Sequence, residues 1–143
     1  MFRALTVCVL IVSAAVAADK DADSKAMQGT WVIETARLAG RDHTEDFAGM
    51  KLIIEGEKYT VDFGKNTDKG TFTLDPAKTP KQIDIKSAEG PFKGMTLPGI
   101  YELKGDKLTL CLEGDGKADK RPTKFEAPEM TRNMLLSYKR EKK

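Results

Sequence analysis

The chain is built of short stretches in which hydrophobic and polar residues alternate, and Gly, Pro, Asp and Asn separate the stretches. A period of two is typical of strands with one buried face. No long stretch of the sequence shows the 3.6-residue period of an amphipathic helix. The pattern predicts eight strands, at residues 28–38, 50–55, 58–63, 71–75, 82–87, 100–104, 107–113 and 133–139.

A two-residue turn at Gly105 and Asp106 predicts a hairpin whose register can be checked against its side chains. In this register one face of the hairpin is apolar, and the other is polar except for Cys111. The predicted pairs are Lys104 with Lys107, Leu103 with Leu108 and Tyr101 with Leu110. The apolar face then holds Tyr101, Leu103, Leu108, Leu110 and Leu112.

A second hairpin is predicted around Gly56 and Glu57, with Glu55 opposite Lys58 and Ile54 opposite Tyr59. A slip of one residue would expose its whole apolar set, so the register is strongly specified. Later strands continue the same apolar face. Its members are Met50, Leu52, Ile54, Tyr59, Val61, Phe63, Phe72, Leu74, Ile83 and Ile85.

A sheet with one apolar face has to cover that face, and the sequence offers no amphipathic helix of useful length to do so. We therefore predict an all-β fold, an antiparallel up-and-down barrel of about eight strands. Gly29, Thr30 and Trp31 open the first strand, and Arg140 closes the last. In a closed barrel these strands are neighbours, so Arg140 can stack on Trp31 and donate to backbone carbonyls at the barrel end. The alternative is a simple buried Trp31 with an exposed Arg140.

The N-terminus has the pattern of an export signal, with Arg3 before an apolar run that is too short to span a bilayer. Small residues end this run, and we predict a signal peptide at residues 1–17. A polar lead-in at 18–27 and one barrel domain at 28–143 follow. The mature protein would be exported to the periplasm or the extracellular space, without a transmembrane segment. A buried N-terminal helix is the alternative.

Cleavage after residue 17 of the 143 leaves 126 residues, enough for one domain, and lowers the formal net charge from +2 by the one charge of Arg3. Cys8 leaves with the signal peptide, so the mature chain has a single cysteine and no internal disulfide. We expect Cys111 to be a packed small residue. Acidic and basic residues are interspersed and form no basic stripe, which argues against nucleic acid as a partner.

The sequence offers few candidate residues for catalysis or metal binding. His43 lies among acidic residues in a loop, and one histidine does not make a metal site. Residues 113–119 lack the ligand spacing of a calcium loop. No motif for nucleophilic catalysis or phosphate binding is present, so we predict a non-enzymatic protein with no cofactor and no metal. We expect Arg121 to pair with a nearby acid and hold a long loop in place.

The Gly-x-Trp triplet with a late arginine resembles the lipocalin-like (calycin) barrels, which carry small apolar ligands outside cells. The second lipocalin signature, a Thr-Asp-aromatic loop, is absent, because Lys69 follows Thr67 and Asp68. A second resemblance covers most of the chain and is carried by residues 28–31, 72–76, 78–84, 93–94, 99–103, 108–112, 121–125 and 139–140. In these segments the chain resembles a family of uncharacterised exported domains typical of planctomycete bacteria. That resemblance implies a lipocalin-like barrel, export and a single domain, but no activity.

The leading hypothesis is a barrel that binds a small apolar or amphipathic ligand, since the inward apolar face lies in a fold that often leaves room inside. The candidate lining residues are Val61, Phe63, Phe72, Tyr101, Leu103 and Leu110. The alternative is a filled barrel whose loops bind an envelope protein or polymer, with the long connections at 40–49, 88–99 and 114–128 as candidate surfaces. A third possibility is a hydrolase that uses acidic residues at the barrel mouth.

Overall fold

The structure is a computed structural model that describes residues 12–142. It contains one α-helix, nine strands and one 3-10 helix, Ala118–Lys120. The helix α1 spans Val12–Met27. The strands are β1 Gly29–Leu38, β2 Arg41–Asp42, β3 Lys51–Glu55, β4 Lys58–Asp62, β5 Thr67–Asp75, β6 Gln82–Glu89, β7 Thr96–Lys104, β8 Lys107–Glu113 and β9 Asn133–Arg140.

The sheet closes on itself. From β3 to β9 each strand pairs antiparallel with the next, and β1 pairs with both β3 and β9. The short strand β2 only extends β1 as a hairpin. The result is a closed eight-stranded antiparallel barrel, which confirms the predicted fold class. Closure leaves the barrel without a free strand edge.

Both predicted hairpin registers are confirmed. Leu103 pairs with Leu108 across β7 and β8. Ile54 pairs with Tyr59 across β3 and β4. Alternation along these strands then turns one set of side chains into the barrel, where they form a single apolar core.

Two strands begin four residues earlier than predicted, because turn-forming residues lie inside them, and β6 and β9 extend slightly past their predicted ends, to Glu89 and Arg140. β5 begins at Thr67 and includes Gly70, where an added Cβ would lie 1.9 Å from the Lys86 carbonyl oxygen. The β5–β6 register shifts between Lys69 and Gly70, so glycine permits a close approach at this irregularity. β7 begins at Thr96 and includes Pro98. The predicted connection at 88–99 thus shrinks to residues 90–95.

The connections divide the barrel into two unlike ends. Residues 56–57, 76–81 and 105–106 make short turns at one end, beside α1, and we call it the closed end. The other end carries the connections at 39–50, 63–66, 90–95 and 114–132, and we call it the open end. Long connections therefore gather where the barrel interior is not covered by the helix.

The helix over residues 18–27 was not predicted, since the sequence indicates only a polar lead-in there. Asp23 and Met27 are four residues apart, so they lie on the same helix face and turn toward the barrel. Met27 is fully buried in the core. Asp23 accepts hydrogen bonds from the Tyr101 hydroxyl at 2.6 Å and the Lys81 ammonium at 2.9 Å. Docking on the barrel, rather than amphipathic periodicity, stabilises this segment.

The predicted signal peptide, residues 1–17, falls largely outside the described residues. Asp23, Ala26 and Met27, which contact the barrel, all lie after the predicted cleavage site. Removal of residues 1–17 would leave these contacts in place. No helix within residues 12–142 is both long enough and apolar enough to cross a membrane.

The connection between β8 and β9 folds back over the outside of β7 and β8. It buries Ile100 and Cys111, whose side chains point away from the barrel interior. Arg121 holds it there by donating to the carbonyls of Ile83 and Gly99 and to the Asp84 carboxylate at 2.7 Å. The predicted pairing of Arg121 with an acid is confirmed. A second, smaller apolar layer therefore lies outside the barrel.

Candidate functional site

A cavity of about 140 Å³ lies inside the open end of the barrel. Its wall is almost wholly apolar, and β1 and every strand from β3 to β9 contribute to it, together with residues of the connections. Most of the lining residues are aliphatic, and three are phenylalanines from connections at the open end. The lining residues are Leu38, Phe47, Met50, Leu52, Tyr59, Val61, Phe63, Asp68, Ile85, Phe92, Leu97, Leu110, Leu112, Met134, Leu136 and Tyr138.

Aromatic side chains from three different connections frame the mouth of the cavity. The rings of Phe47 and Phe63 lie 6.4 Å apart between centroids and are tilted by 53°. Phe63 is 37% exposed, so its ring is partly in solvent. Phe92, from the connection between β6 and β7, completes the frame. Apolar ring surfaces at an entrance favour an apolar molecule over water.

One charged side chain stands in this apolar wall. Asp68, near the start of β5, is only 5% exposed. The Tyr59 hydroxyl donates a hydrogen bond to its Oδ2 atom at 2.9 Å, and the Ser87 hydroxyl donates to its Oδ1 atom at 2.5 Å. Burial raises the pKa of Tyr59, which keeps the phenol protonated and able to donate. Two hydroxyls thus fix a carboxylate at the cavity surface.

Three of the six predicted lining residues line the cavity, and the other three lie elsewhere in the barrel. Val61, Phe63 and Leu110 line the cavity. Phe72 instead lies against a hollow of about 20 Å³ beneath Met27, which is too small for a ligand. Tyr101 and Leu103 are core residues of the closed end and are not among the residues that line the cavity. The closed end of the barrel is therefore filled, because α1 inserts Met27 into it.

The predicted closing residues meet at the closed end. Trp31 and Arg140 are paired across β1 and β9, and the Arg140 guanidinium carbon lies 4.3 Å from the centroid of the indole ring. Gly29 has a φ of +117°, and a Cβ there would approach the Arg140 Nη1 atom to 3.3 Å. The glycine therefore leaves room for the guanidinium.

Arg140 also joins the helix to the barrel. Its Nη2 atom donates to the Ala26 carbonyl at 2.6 Å and its Nη1 atom to the Gln28 carbonyl at 2.7 Å. The Trp31 indole N–H donates to the Met27 carbonyl at 2.9 Å. Helix-terminal carbonyls lack partners within their own helix, so these bonds satisfy groups that would otherwise be unpaired. The site is structural and lies far along the barrel axis from the cavity mouth.

The other residues considered from the sequence stay apart from the cavity. His43 lies beside the Asp46 carboxylate, with 2.8 Å between Nδ1 and Oδ2, in the loop before β3. Cys111 is fully buried outside the barrel, where its thiol donates to the Glu126 carbonyl at 3.2 Å. Within residues 12–142, no cluster of three or more His, Cys, Asp or Glu residues could hold a metal ion.

Asp68 is the site residue that sequence reasoning missed. The prediction leaves Thr67 and Asp68 outside the strands, because the predicted strand begins only after Gly70. Yet Asp68 has the same parity as Phe72 and Leu74, which are predicted to face inward. Extending the alternation backwards through Gly70 would have placed a carboxylate inside the barrel.

The chain matches no protein-family model, no curated protein sequence and no solved structure. The function of the protein is therefore inferred from the geometry of the barrel and its cavity.

Proposed function

We propose that this protein is an exported, non-enzymatic barrel that binds a small apolar molecule, or the apolar end of an amphipathic one, inside its open end. The cavity of about 140 Å³, with its apolar wall and aromatic mouth, is the observation that carries the proposal. Apolar cavities of about 150 Å³ stay free of water and accept benzene. Export is supported by the pattern of charged, apolar and small residues at the N-terminus.

The volume of the cavity limits the size of the ligand. Pockets for drug-sized molecules have volumes of about 300–1,000 Å³, so a large ligand would not fit entirely inside this one. A single ring, a short aliphatic chain or the end of a longer acyl chain matches the space. The remainder of a longer ligand would lie between Phe47, Phe63 and Phe92 at the mouth.

The proposal is tested by NMR titration of the purified protein with benzene. Chemical shifts of Val61, Ile85 and Leu110 should change in a saturable way. In the variant Val61→Phe, which places a larger side chain in the cavity, binding should be lost or strongly weakened. The matched control is Val32→Phe, because Val32 lies on the outer face of β1 and this change leaves the cavity intact. Absence of saturable shifts, or equal binding by both variants, contradicts the proposal.

A second candidate function is binding of a partner on the outer surface of the barrel. It is favoured by the filled closed end and by a groove on the outside. The groove has a volume of about 510 Å³ and lies beneath the β8–β9 connection. Lys124, Arg132 and Asp115 are among the residues that line it. An envelope protein or polymer is the corresponding partner. Retention of an envelope component by the wild type, lost on Arg132→Ala but not on Val61→Phe, would favour this function over ligand binding in the cavity.

A further inference from the structure

We propose that the cavity selects small apolar molecules that carry a protonated amine, and that Asp68 binds the amine. The inference rests on the proposed function, since it names the chemical class of the ligand for the same cavity. It starts from the one charged residue in an otherwise apolar wall.

In the described part of the chain, no positive charge pairs with the carboxylate of Asp68. Among residues 12–142, no Lys, Arg or His nitrogen lies within 4.0 Å of its carboxylate; its polar contacts are with the hydroxyls of Tyr59 and Ser87. A buried charge without an opposite charge is costly, because neither water nor a cation compensates for its lost hydration. A cation brought by the ligand would supply that compensation.

The geometry leaves acceptor capacity for such a cation. A carboxylate has about four lone-pair sites, and the two hydroxyls occupy one on each oxygen. Tyr59 also lines the cavity, and because its hydroxyl donates to Asp68, the lone pairs of that oxygen stay available as acceptors. An ammonium group has three N–H donors and can bind both residues. An anionic ligand would be repelled by the same carboxylate.

A purely structural role does not account for the charge. The hydrogen bonds from Tyr59 and Ser87 link β4, β5 and β6 through the Asp68 side chain. An asparagine could keep the link without burying a net charge, because its oxygen can accept from one hydroxyl while its NH2 group donates to the oxygen of the other. The link between strands therefore does not require a carboxylate, whereas recognition of a cation does.

The experiment compares three probes of similar size on the purified protein, by calorimetry and NMR at neutral pH. Benzylamine carries the ammonium, toluene is the neutral analogue, and benzoate carries the opposite charge. We expect the wild type to bind benzylamine at least about tenfold more tightly than toluene, since a charge-assisted hydrogen bond contributes that much. Benzoate should bind more weakly than toluene.

The variant Asp68→Asn keeps the shape of the side chain and removes the charge. It should lose the preference for benzylamine while its affinity for toluene stays within about twofold, because the apolar contacts are unchanged. Asp62→Asn is the matched control, since Asp62 lies on β4 at the same end of the barrel and its parity directs it outward. The control should keep the preference of the wild type.

The outcomes separate this inference from the proposed function. If toluene binds and the wild type shows no preference for benzylamine, the amine inference is overturned while the cavity remains a binding site. The inference is also overturned if Asp62→Asn and Asp68→Asn lose the preference for benzylamine equally, because the preference then comes from the overall electrostatic field of the protein. If no probe binds the wild type, both proposals fail. The wild-type comparison alone decides the question if Asp68→Asn does not fold.

Discussion

The guanidinium of Arg140 lies over the indole ring of Trp31 across the strand pair that closes the barrel, with 4.3 Å between the guanidinium carbon and the ring centroid. The same guanidinium donates to the carbonyls of Ala26 and Gln28, at and just after the end of α1. One side chain thus joins the first strand, the last strand and the helix. Closure of the barrel and docking of the helix are consequently linked.

Replacing Arg140 by lysine should lower stability by about 2 kcal/mol, which corresponds to a Tm lower by roughly 5–10 °C. A lysine keeps the charge but cannot stack as a plane on Trp31 and donate to two carbonyls at once. Thermal unfolding followed by circular dichroism measures the change. The reverse exchange at the exposed neighbour, Lys139→Arg, should alter stability by less than about 0.5 kcal/mol. Equal effects of the two exchanges would contradict the role given to Arg140.

Removal of the Asp23 carboxylate should release α1 from the closed end. The Tyr101 hydroxyl and the Lys81 ammonium both donate to it, so Asp23→Ala should cost about 1–3 kcal/mol. Hydrogen exchange should show lost protection in α1, with β8 and β9 still protected. Asp21→Ala is the control, because Asp21 is exposed on the same helix. The docking contact is refuted if protection of α1 is the same in both variants.

The sequence predicts the barrel well because a strand needs only local alternation to show its buried face. The pairs Leu103–Leu108 and Ile54–Tyr59 follow from turn position and parity alone. Helix α1 has no such signal. Among its residues 20–27, for which burial is described, Met27 is the only apolar residue buried in the core, and docking depends on Tyr101, which is distant in sequence.

The cavity is harder to predict than the barrel around it. The alternation of apolar and polar residues shows which side chains point inward. Whether the interior is filled depends on which other segments insert side chains at the ends of the barrel. Met27 fills the closed end, so Phe72 and Tyr101 pack there, whereas Val61 and Leu110 face open space. Which inward-facing residues are packed and which line the cavity depends on contacts between segments that are distant in sequence. Local periodicity does not report such contacts.

Arg121 should control access to Cys111. Its guanidinium fastens the β8–β9 connection to β6 and β7, and this connection covers the thiol. In Arg121→Ala we expect a loss of about 2 kcal/mol and alkylation of Cys111 by iodoacetamide at least about tenfold faster than in the wild type. Peptide mass spectrometry identifies the modified cysteine. Lys120→Ala, at an exposed neighbouring position, should leave the rate unchanged, and the assignment fails if it accelerates alkylation equally.

The stability of the protein should fall as the pH rises from about 9 to about 11. Burial raises the pKa of Cys111 from its ordinary value of 9.0 to about 11. Below pH 9 the thiol is protonated in both the folded and the unfolded chain, so the contribution of its burial to stability is fully present. Between the two pKa values the unfolded chain releases a proton that the folded chain retains, and the equilibrium shifts toward unfolding.

The variant Cys111→Ala isolates this effect. Near pH 10 its unfolding should release about one proton fewer than unfolding of the wild type, and its stability should therefore fall less steeply with pH. Urea denaturation at a series of pH values measures the slope, which is unaffected by the constant cost of the lost side chain. Burial also raises the pKa of Tyr138, so some alkaline loss of stability should persist in the variant. Parallel stability curves for the two proteins from pH 8 to 11 would show that the Cys111 thiol titrates alike in the folded and unfolded states.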